Sequence, residues 1–303
     1  MTTATMVRAE NVWKRFGHHD ALRGLNLAVP EGSAYALIGP NGAGKTTTIK
    51  VLMNILDPSR GAATVMGTDT RRLPPEVLAQ IGYVSENQVL PSRLRVGDYL
   101  DYLRPFYPTW DRELETSLRT RLQLPLERKI GHLSHGMRIK VALACALPYR
   151  PKLLILDEPF SGLDPLVREE FMEGLLSESG EVTMLISSHE LSEIESVATH
   201  VGFLHAGKML LEESTSDLSE RLRDVRVTLE QAAVVPERLP KEWLQVRAMG
   251  NVLSFVDTRY SESDVGERLR SLLGPVRRID AQPMSLRSLF TTLARAARDG
   301  AIQ

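Results

Sequence analysis

Val7–Phe16 is strand-like in its apolar and polar positions, and Leu22–Val29 returns with partial alternation. Gly17-His18-His19-Asp20 between them is a turn, so the chain opens on a predicted β-hairpin. Pro30-Glu31-Gly32 breaks the pattern. Ser33–Ile38 is then a short apolar run of strand type, followed by a glycine-rich turn and a helical stretch from Thr46 to about Ile55. From about Val96 to Leu147 the spacing is mostly helical, interrupted at Pro105, Pro108 and Pro125. Leu153–Leu156 and Val182–Ser187 are near-continuous apolar runs and read as strands covered on both faces. Leu166–Ser177 and Glu190–Ala198 are predicted helices. Val201–His205 and Lys208–Leu211 are a predicted hairpin about Ala206-Gly207. Strands alternating with helices predict an α/β domain with a mostly parallel sheet.

The pattern changes near 212–224, where a polar stretch turns helical through Arg223. Beyond it Val225, Val227 and Leu229 alternate with Arg226, Thr228 and Glu230, and Leu244–Met249 and Val252–Asp257 flank the hairpin turn Gly250-Asn251. Val265, Leu269, Leu272 and Leu273 have helical spacing, as do Leu286, Leu289, Phe290 and Leu293. We expect a first domain over 1–220 and a small α+β domain over 221–303.

Composition narrows the class. The chain has 303 residues, 37 Lys+Arg and 38 Asp+Glu, so 37 − 38 = −1. That balance argues against nucleic acid as a partner and against coating an anionic surface by bulk charge. One cysteine allows no internal disulfide and fits a reducing compartment. Cys145, in a small-residue helix, reads as an inert core thiol. No apolar stretch approaches the ~18 residues of a membrane helix, and no signal peptide is visible. His18, His19, His132, His200 and His205 show no metal-ligand spacing.

The chemistry lies in the motifs. Gly39-Pro40-Asn41-Gly42-Ala43-Gly44-Lys45-Thr46 fits G-x-x-x-x-G-K-[ST], between an apolar strand and a helix. Glycines let successive backbone N–H groups converge on phosphate oxygens, and the helix start adds its positive dipole end. Lys45 is expected to reach the β and γ phosphates and the Thr46 hydroxyl to ligate Mg²⁺. Leu153–Leu156 runs into Asp157-Glu158, two carboxylates at the end of a buried strand, where α/β folds hold ligands. Asp157 would hold Mg²⁺ and Glu158 would orient the attacking water. In Leu133-Ser134-His135-Gly136-Met137, Ser134 is either a helix N-cap or part of an anion site.

In this order the motifs resemble the nucleotide-binding subunit of an ABC transporter, over about residues 5–212. Gly39–Thr46 resembles its phosphate loop, which extends to Thr47, and Leu133–Met137 its LSGGQ signature. Leu153–Glu158 resembles the second nucleotide motif, Ser161-Gly162-Leu163-Asp164 the D-loop, and His189 the switch histidine. The resemblance implies an ABC-type P-loop fold: a mostly parallel sheet core, an antiparallel β subdomain and a helical subdomain at about 86–150. It implies an ATPase using ATP and Mg²⁺, with Lys45, Glu158 and His189 catalytic. It also implies two subunits, homodimer or heterodimer, meeting head to tail on integral membrane permease subunits, at the cytoplasmic face. Ser134 and Gly136 would then touch the γ-phosphate held by Lys45 of the other copy, and Asp164 would couple the two sites. Phe16 falls where the family stacks an aromatic on adenine; the other reading is a hairpin core residue. The C-terminal extension leans the subclass toward export.

Three positions depart from the family. Glu86 stands where a Gln usually contacts Mg²⁺ and the water, with Gln88 as a substitute two residues on. His135 replaces the first signature Gly and Met137 the Gln. The aromatic corner Phe106-Tyr107-Pro108-Thr109-Trp110 reads first as a packed turn and second as a neighbour of the groove for a membrane-subunit helix. The alternative function is a soluble ABC-type mechanical ATPase acting on ribosomes or DNA. Such proteins carry a second cassette or a long coiled coil. This chain has one cassette, and from Lys45 to Ser134 only 134 − 45 = 89 positions without a sustained heptad. Glu158 and His189 together argue against a module that binds ATP without turnover.

Overall fold

The N-terminal alternation folds as β1 (Thr5–Phe16) and β2 (His19–Pro30), paired antiparallel from Thr5 opposite Pro30 to Phe16 opposite His19. Their inward residues, including Val7, Val12, Leu22, Leu25 and Val29, are buried in one apolar cluster. In the computed structural model, residues 4–178, 182–190, 193–236, 239–240 and 242–284 are described, with 288, 291 and 292.

β3 (Ala34–Ile38) leads through the glycine-rich turn into α1 (Lys45–Leu52). This helix stops before the expected Ile55 because Asn54 takes a left-handed φ of 55°. Four elements with weak sequence signals follow: β4 (Arg60–Val65), β5 (Thr68–Asp69), α2 (Pro75–Leu78) and β6 (Ile81–Ser85). β4 carries Gly61-Ala62-Ala63, poor strand formers, and is made a strand by pairing antiparallel with β1. The helical stretch resolves into α3 (Val96–Leu103), α4 (Arg112–Arg121) and α5 (His135–Ala146), with the three prolines in the intervening turns. Asp111 caps α4, its carboxylate accepting from the Glu113 and Leu114 amides at 2.9 Å each. The aromatic corner is a packed turn in which the Tyr107 and Tyr149 rings stack at 4.0 Å, while Phe106 stays exposed.

β7 (Leu153–Asp157), α6 (Pro165–Glu178), β8 (Thr183–Ser188), β9 (His200–His205) and β10 (Lys208–Ser214) follow. The strand order is β10-β9-β3-β8-β7-β6, and β9, β3, β8, β7 and β6 run parallel to one another. All residues of β3, β7 and β8 are buried, as the apolar runs predict. A second sheet, β2-β1-β4-β5, is antiparallel. Of the expected helix Glu190–Ala198, Leu191 and Ser192 lie outside the described residues. Glu193–Ala198 forms a tight turn instead, closed by the Val197 and Ala198 amides on the Ile194 carbonyl.

Contacts divide the chain into Met1–Leu211 and Glu212–Gln303. The expected boundary at 220/221 lies at the end of α7 (Thr215–Arg221), inside the second unit. That unit holds β11 (Arg223–Leu229), β12 (Trp243–Met249), β13 (Val252–Asp257), α8 (Val265–Leu273) and β14 (Val276–Pro283). Its sheet, β12-β13-β11-β14, is antiparallel throughout. Val225, Val227, Leu253, Phe255 and Leu269 form a separate core, with the Trp243 and Phe255 rings stacked at 3.9 Å. Leu286, Leu289, Phe290 and Leu293, from which a helix is expected, lie outside the described residues.

Candidate functional site: the phosphate loop and the ends of three strands

Parallel strands carry their carboxyl ends to one edge of the sheet, and here β3, β8 and β7 are neighbours. Beyond β3 the loop needs glycine for two reasons. Gly44 has φ 111°, and a Cβ there would stand 2.8 Å from both the Ala21 carbonyl oxygen and Leu22 Cδ2. A Cβ on Gly39, whose φ is ordinary, would run into the Leu204 carbonyl oxygen. The turn brings α1 in at Lys45, which is only 5 % exposed. Its ammonium donates to Gly39 O at 2.6 Å and Pro40 O at 3.3 Å and pairs with Glu158 Oε1 at 2.9 Å.

Beyond β7, Asp157 Oδ1 accepts from Thr46 Oγ1 at 3.1 Å and from Ser187 Oγ at 2.7 Å. Glu158 has a left-handed φ of 52°. Its amide donates to Ser187 Oγ at 3.0 Å, and its Oε2 lies 2.8 Å from His189 Nδ1. The Glu158 carboxylate is therefore held on both oxygens, by Lys45 and by His189. Burial raises the Asp157 pKa, against the Ser187 and Thr46 hydrogen bonds. Burial pushes Glu158 the same way, but the hydrogen bonds from His189 and Lys45, with their charges, win and hold it below the usual carboxylate range. The hydrogen bond to Glu158 raises His189 against its partial burial.

Phe16, Asn41, Gly42, Gly44, Lys45, Thr46, Thr47, Glu86 and Glu158 line one cavity of about 520 Å³. Phe16 is 46 % exposed, so it is not a hairpin core residue; the Lys14 ammonium lies 5.2 Å from its ring centroid. His19 and Ala21, which belong to no motif, also line this cavity. Glu86 lines the cavity, and its amide bonds the Asp157 carbonyl at 3.1 Å. Gln88 faces a neighbouring cavity of about 310 Å³, which Glu86 also borders, together with Leu90, Ile130, Arg138 and Ile139.

Ser134, Gly136 and Asp164 do not line the phosphate cavity. Ser134 is the N-cap of α5, its hydroxyl accepting from the Met137 amide at 3.2 Å. Asp164 Oδ1 accepts from Val167 N at 3.0 Å at the start of α6. His135 Nε2 meets the Ser161 carbonyl oxygen at 3.2 Å, tying the start of α5 to the turn before α6. Ser187 likewise belongs to no nucleotide motif. Its signal was a polar Ser187-Ser188 pair ending a strand that is otherwise apolar after Thr183.

A glycine cradle, a buried lysine and strand-end carboxylates define a phosphate-loop nucleoside triphosphatase. Residues 22–161 match the ABC transporter family. A lantibiotic transport ATP-binding protein, SrtF of Streptococcus pyogenes, is 34% identical over 231 residues, covering 73% of this chain and 95% of SrtF. A daunorubicin resistance ATP-binding protein, DrrA2 of Streptomyces coeruleorubidus, is 33% identical over 238 residues, covering 77% of this chain and 73% of DrrA2. A solved ATP-binding subunit of an ABC transporter superposes with a TM-score of 0.65 at 30% identity, over 71% of this chain and 92% of that one. The chain belongs to the ATP-binding subunits of ABC transporters, and it hydrolyses ATP. These relatives give no support to the ribosome- or DNA-acting alternative. Among the described residues no helix is long and apolar enough to cross a membrane.

Proposed function

We propose that this chain drives export through separate permease subunits, as one of two ATPase subunits on the cytoplasmic side of the membrane. The reading is supported by SrtF and DrrA2, whose names specify lantibiotic transport and daunorubicin resistance. In it Phe16 stacks on adenine, the amides of Gly39–Thr47 and the Lys45 ammonium hold the phosphates, and Glu158 and His189 serve hydrolysis. Ser134, Gly136 and Asp164 act on the nucleotide of the second copy across a head-to-tail interface. Their exposure at the starts of α5 and α6 leaves Ser134 and Asp164 free to face a partner.

The donor set suits Mg²⁺. Thr46 Oγ1 and Asp157 Oδ1 are hard oxygens 3.1 Å apart, and Glu86 borders the same cavity. A phosphate-bound Mg²⁺ takes one or two protein oxygens and fills its other positions from phosphate and water. Bound there, the ion would neutralise the charge of the phosphate oxygens.

The observation that carries the catalytic assignment is the chain Lys45–Glu158–His189. A carboxylate held on both oxygens and kept ionised at neutral pH accepts a hydrogen bond from water in a fixed direction. Its lowered pKa makes it a weak base, so its contribution is mainly orientation. Glu158→Gln keeps the shape and loses the charge. ATP affinity should persist, and turnover should fall by about 10²–10⁴. Steady-state ATPase assays decide it: wild-type turnover in Glu158→Gln overturns the assignment.

A further inference from the structure

Ser187 lies at the end of β8, directly across the parallel register from Asp157, and is fully buried. On its other side it pairs with Leu37 of β3. It is thus fixed between the strand that enters the phosphate loop and the strand that delivers both carboxylates. Its hydroxyl makes two bonds of opposite sense. It donates to Asp157 Oδ1 at 2.7 Å and accepts from the Glu158 amide at 3.0 Å.

The second bond bears on Glu158. A φ of 52° is disfavoured for a residue with a long side chain and persists only where the surroundings over-determine it. That backbone turn sends the carboxylate back to Lys45 and His189 rather than outward. We propose that Ser187 is a positioning residue for hydrolysis: one hydroxyl clamps the Asp157 carboxylate and the Glu158 backbone together, and so sets where the Glu158 carboxylate stands. This rests on the reading of Glu158 as the group that orients water.

A merely structural Ser187 would satisfy a buried strand end and nothing more. Its loss would lower stability and leave the rate of the folded fraction unchanged. A clamp predicts a different split. In the full chain, Ser187→Ala should lower kcat by about 10- to 100-fold while KM for ATP moves less than about threefold. Binding of a fluorescent ATP analogue in EDTA should stay within about threefold of wild type, since the phosphate loop itself is untouched. Ser187→Thr keeps the hydroxyl and should restore kcat to within about fivefold. Ser187→Cys keeps the volume with a weak donor and should fall between; it also stands in if the alanine variant does not fold. Wild-type kcat in Ser187→Ala or Ser187→Cys overturns the proposal. So does a KM effect alone, or a threonine variant as impaired as the alanine one. Wild-type kcat in Glu158→Gln would instead bring down the underlying assignment.

Discussion

Glu193 offers a sharp test of how the sheet edge is held. Its side chain is 3% exposed, with Oε1 paired to Arg168 of α6 at 3.1 Å and Oε2 accepting from Ser188 Oγ at 2.5 Å. Ser188 in turn gives its carbonyl to the Gly39 amide at 3.3 Å and precedes His189. Glu193→Ala removes both anchors and leaves the Arg168 guanidinium beside a cavity. Breaking a buried pair from one side costs about 3–5 kcal/mol. Arg168 is 29% exposed and regains water, so about 2–3 kcal/mol is the better expectation. Glu193→Gln keeps the shape and a hydrogen bond to Ser188 and should cost about half as much. Urea unfolding of the full chain, followed by tryptophan emission, reads the loss. Trp13 and Trp110 report on the first unit and Trp243 on the second. The transition of the first unit should move and that of the second should not. An alanine variant within about 0.5 kcal/mol of wild type would refute the reasoning, because the Ser188 hydroxyl and the Arg168 guanidinium would both have lost their Glu193 partner at almost no cost.

Two further outcomes follow from the site. Phe16→Ala should weaken ATP binding by about 5- to 20-fold, whereas Phe16→Tyr should keep it, because the stacking face is what matters; equal affinity in the alanine variant by calorimetry would remove Phe16 from the site. The His189–Glu158 pair should give stability a pH signature. The raised His189 pKa contributes fully below the ordinary 6.5 and is lost as pH rises through its folded value. The lowered Glu158 pKa contributes above the ordinary 4.5 and is lost as pH falls through its folded value. The pair is therefore strongest between those two values. The stability gap between wild type and His189→Gln should be wider at about pH 5.5 than at about pH 8.5 in denaturant titrations. A gap that is flat or widens with pH would contradict the pairing.

The parallel core was legible because burial on both faces leaves its mark on every residue. Leu153–Leu156 and Ser33–Ile38 carry almost no polar position, and the structure covers each of them. The phosphate loop was legible because close backbone approach admits few residue types. β4 was not: Gly61-Ala62-Ala63 has no strand signal of its own and depends on β1, some fifty residues away. β14 escaped for another reason. Arg277, Arg278, Asp280 and Gln282 crowd an edge strand with polar side chains, and partial exposure erases the alternation. Among site residues, Ser187 and His19 were invisible because their importance lies in what stands opposite them. Ser187 faces Asp157 across two strands, and His19 borders the cavity only because the hairpin register sets it against Phe16.

That dependence on register explains why three distant segments act as one site. Ile38 stands beside Ser188, and Ser187 beside Asp157, in the parallel ladder. The loop after β3, the carboxylates after β7 and the histidine after β8 therefore emerge at the same level. A slip of β8 by one residue would place Ile186 opposite Asp157 and turn every side chain of the strand to the other face. The Ser187 hydroxyl would then point away from both of its partners, and Glu158 would lose the bond that holds its backbone at a positive φ. The apolar run Met184-Leu185-Ile186 is covered on both faces and would tolerate the slip in burial alone. The bond from Ser187 to Asp157, together with the capping of Glu193 by Ser188, is what makes the slipped register costly. The polar end of β8 thus specifies the register of the sheet as well as the direction of the Glu158 carboxylate, and Ser187→Ala should weaken both.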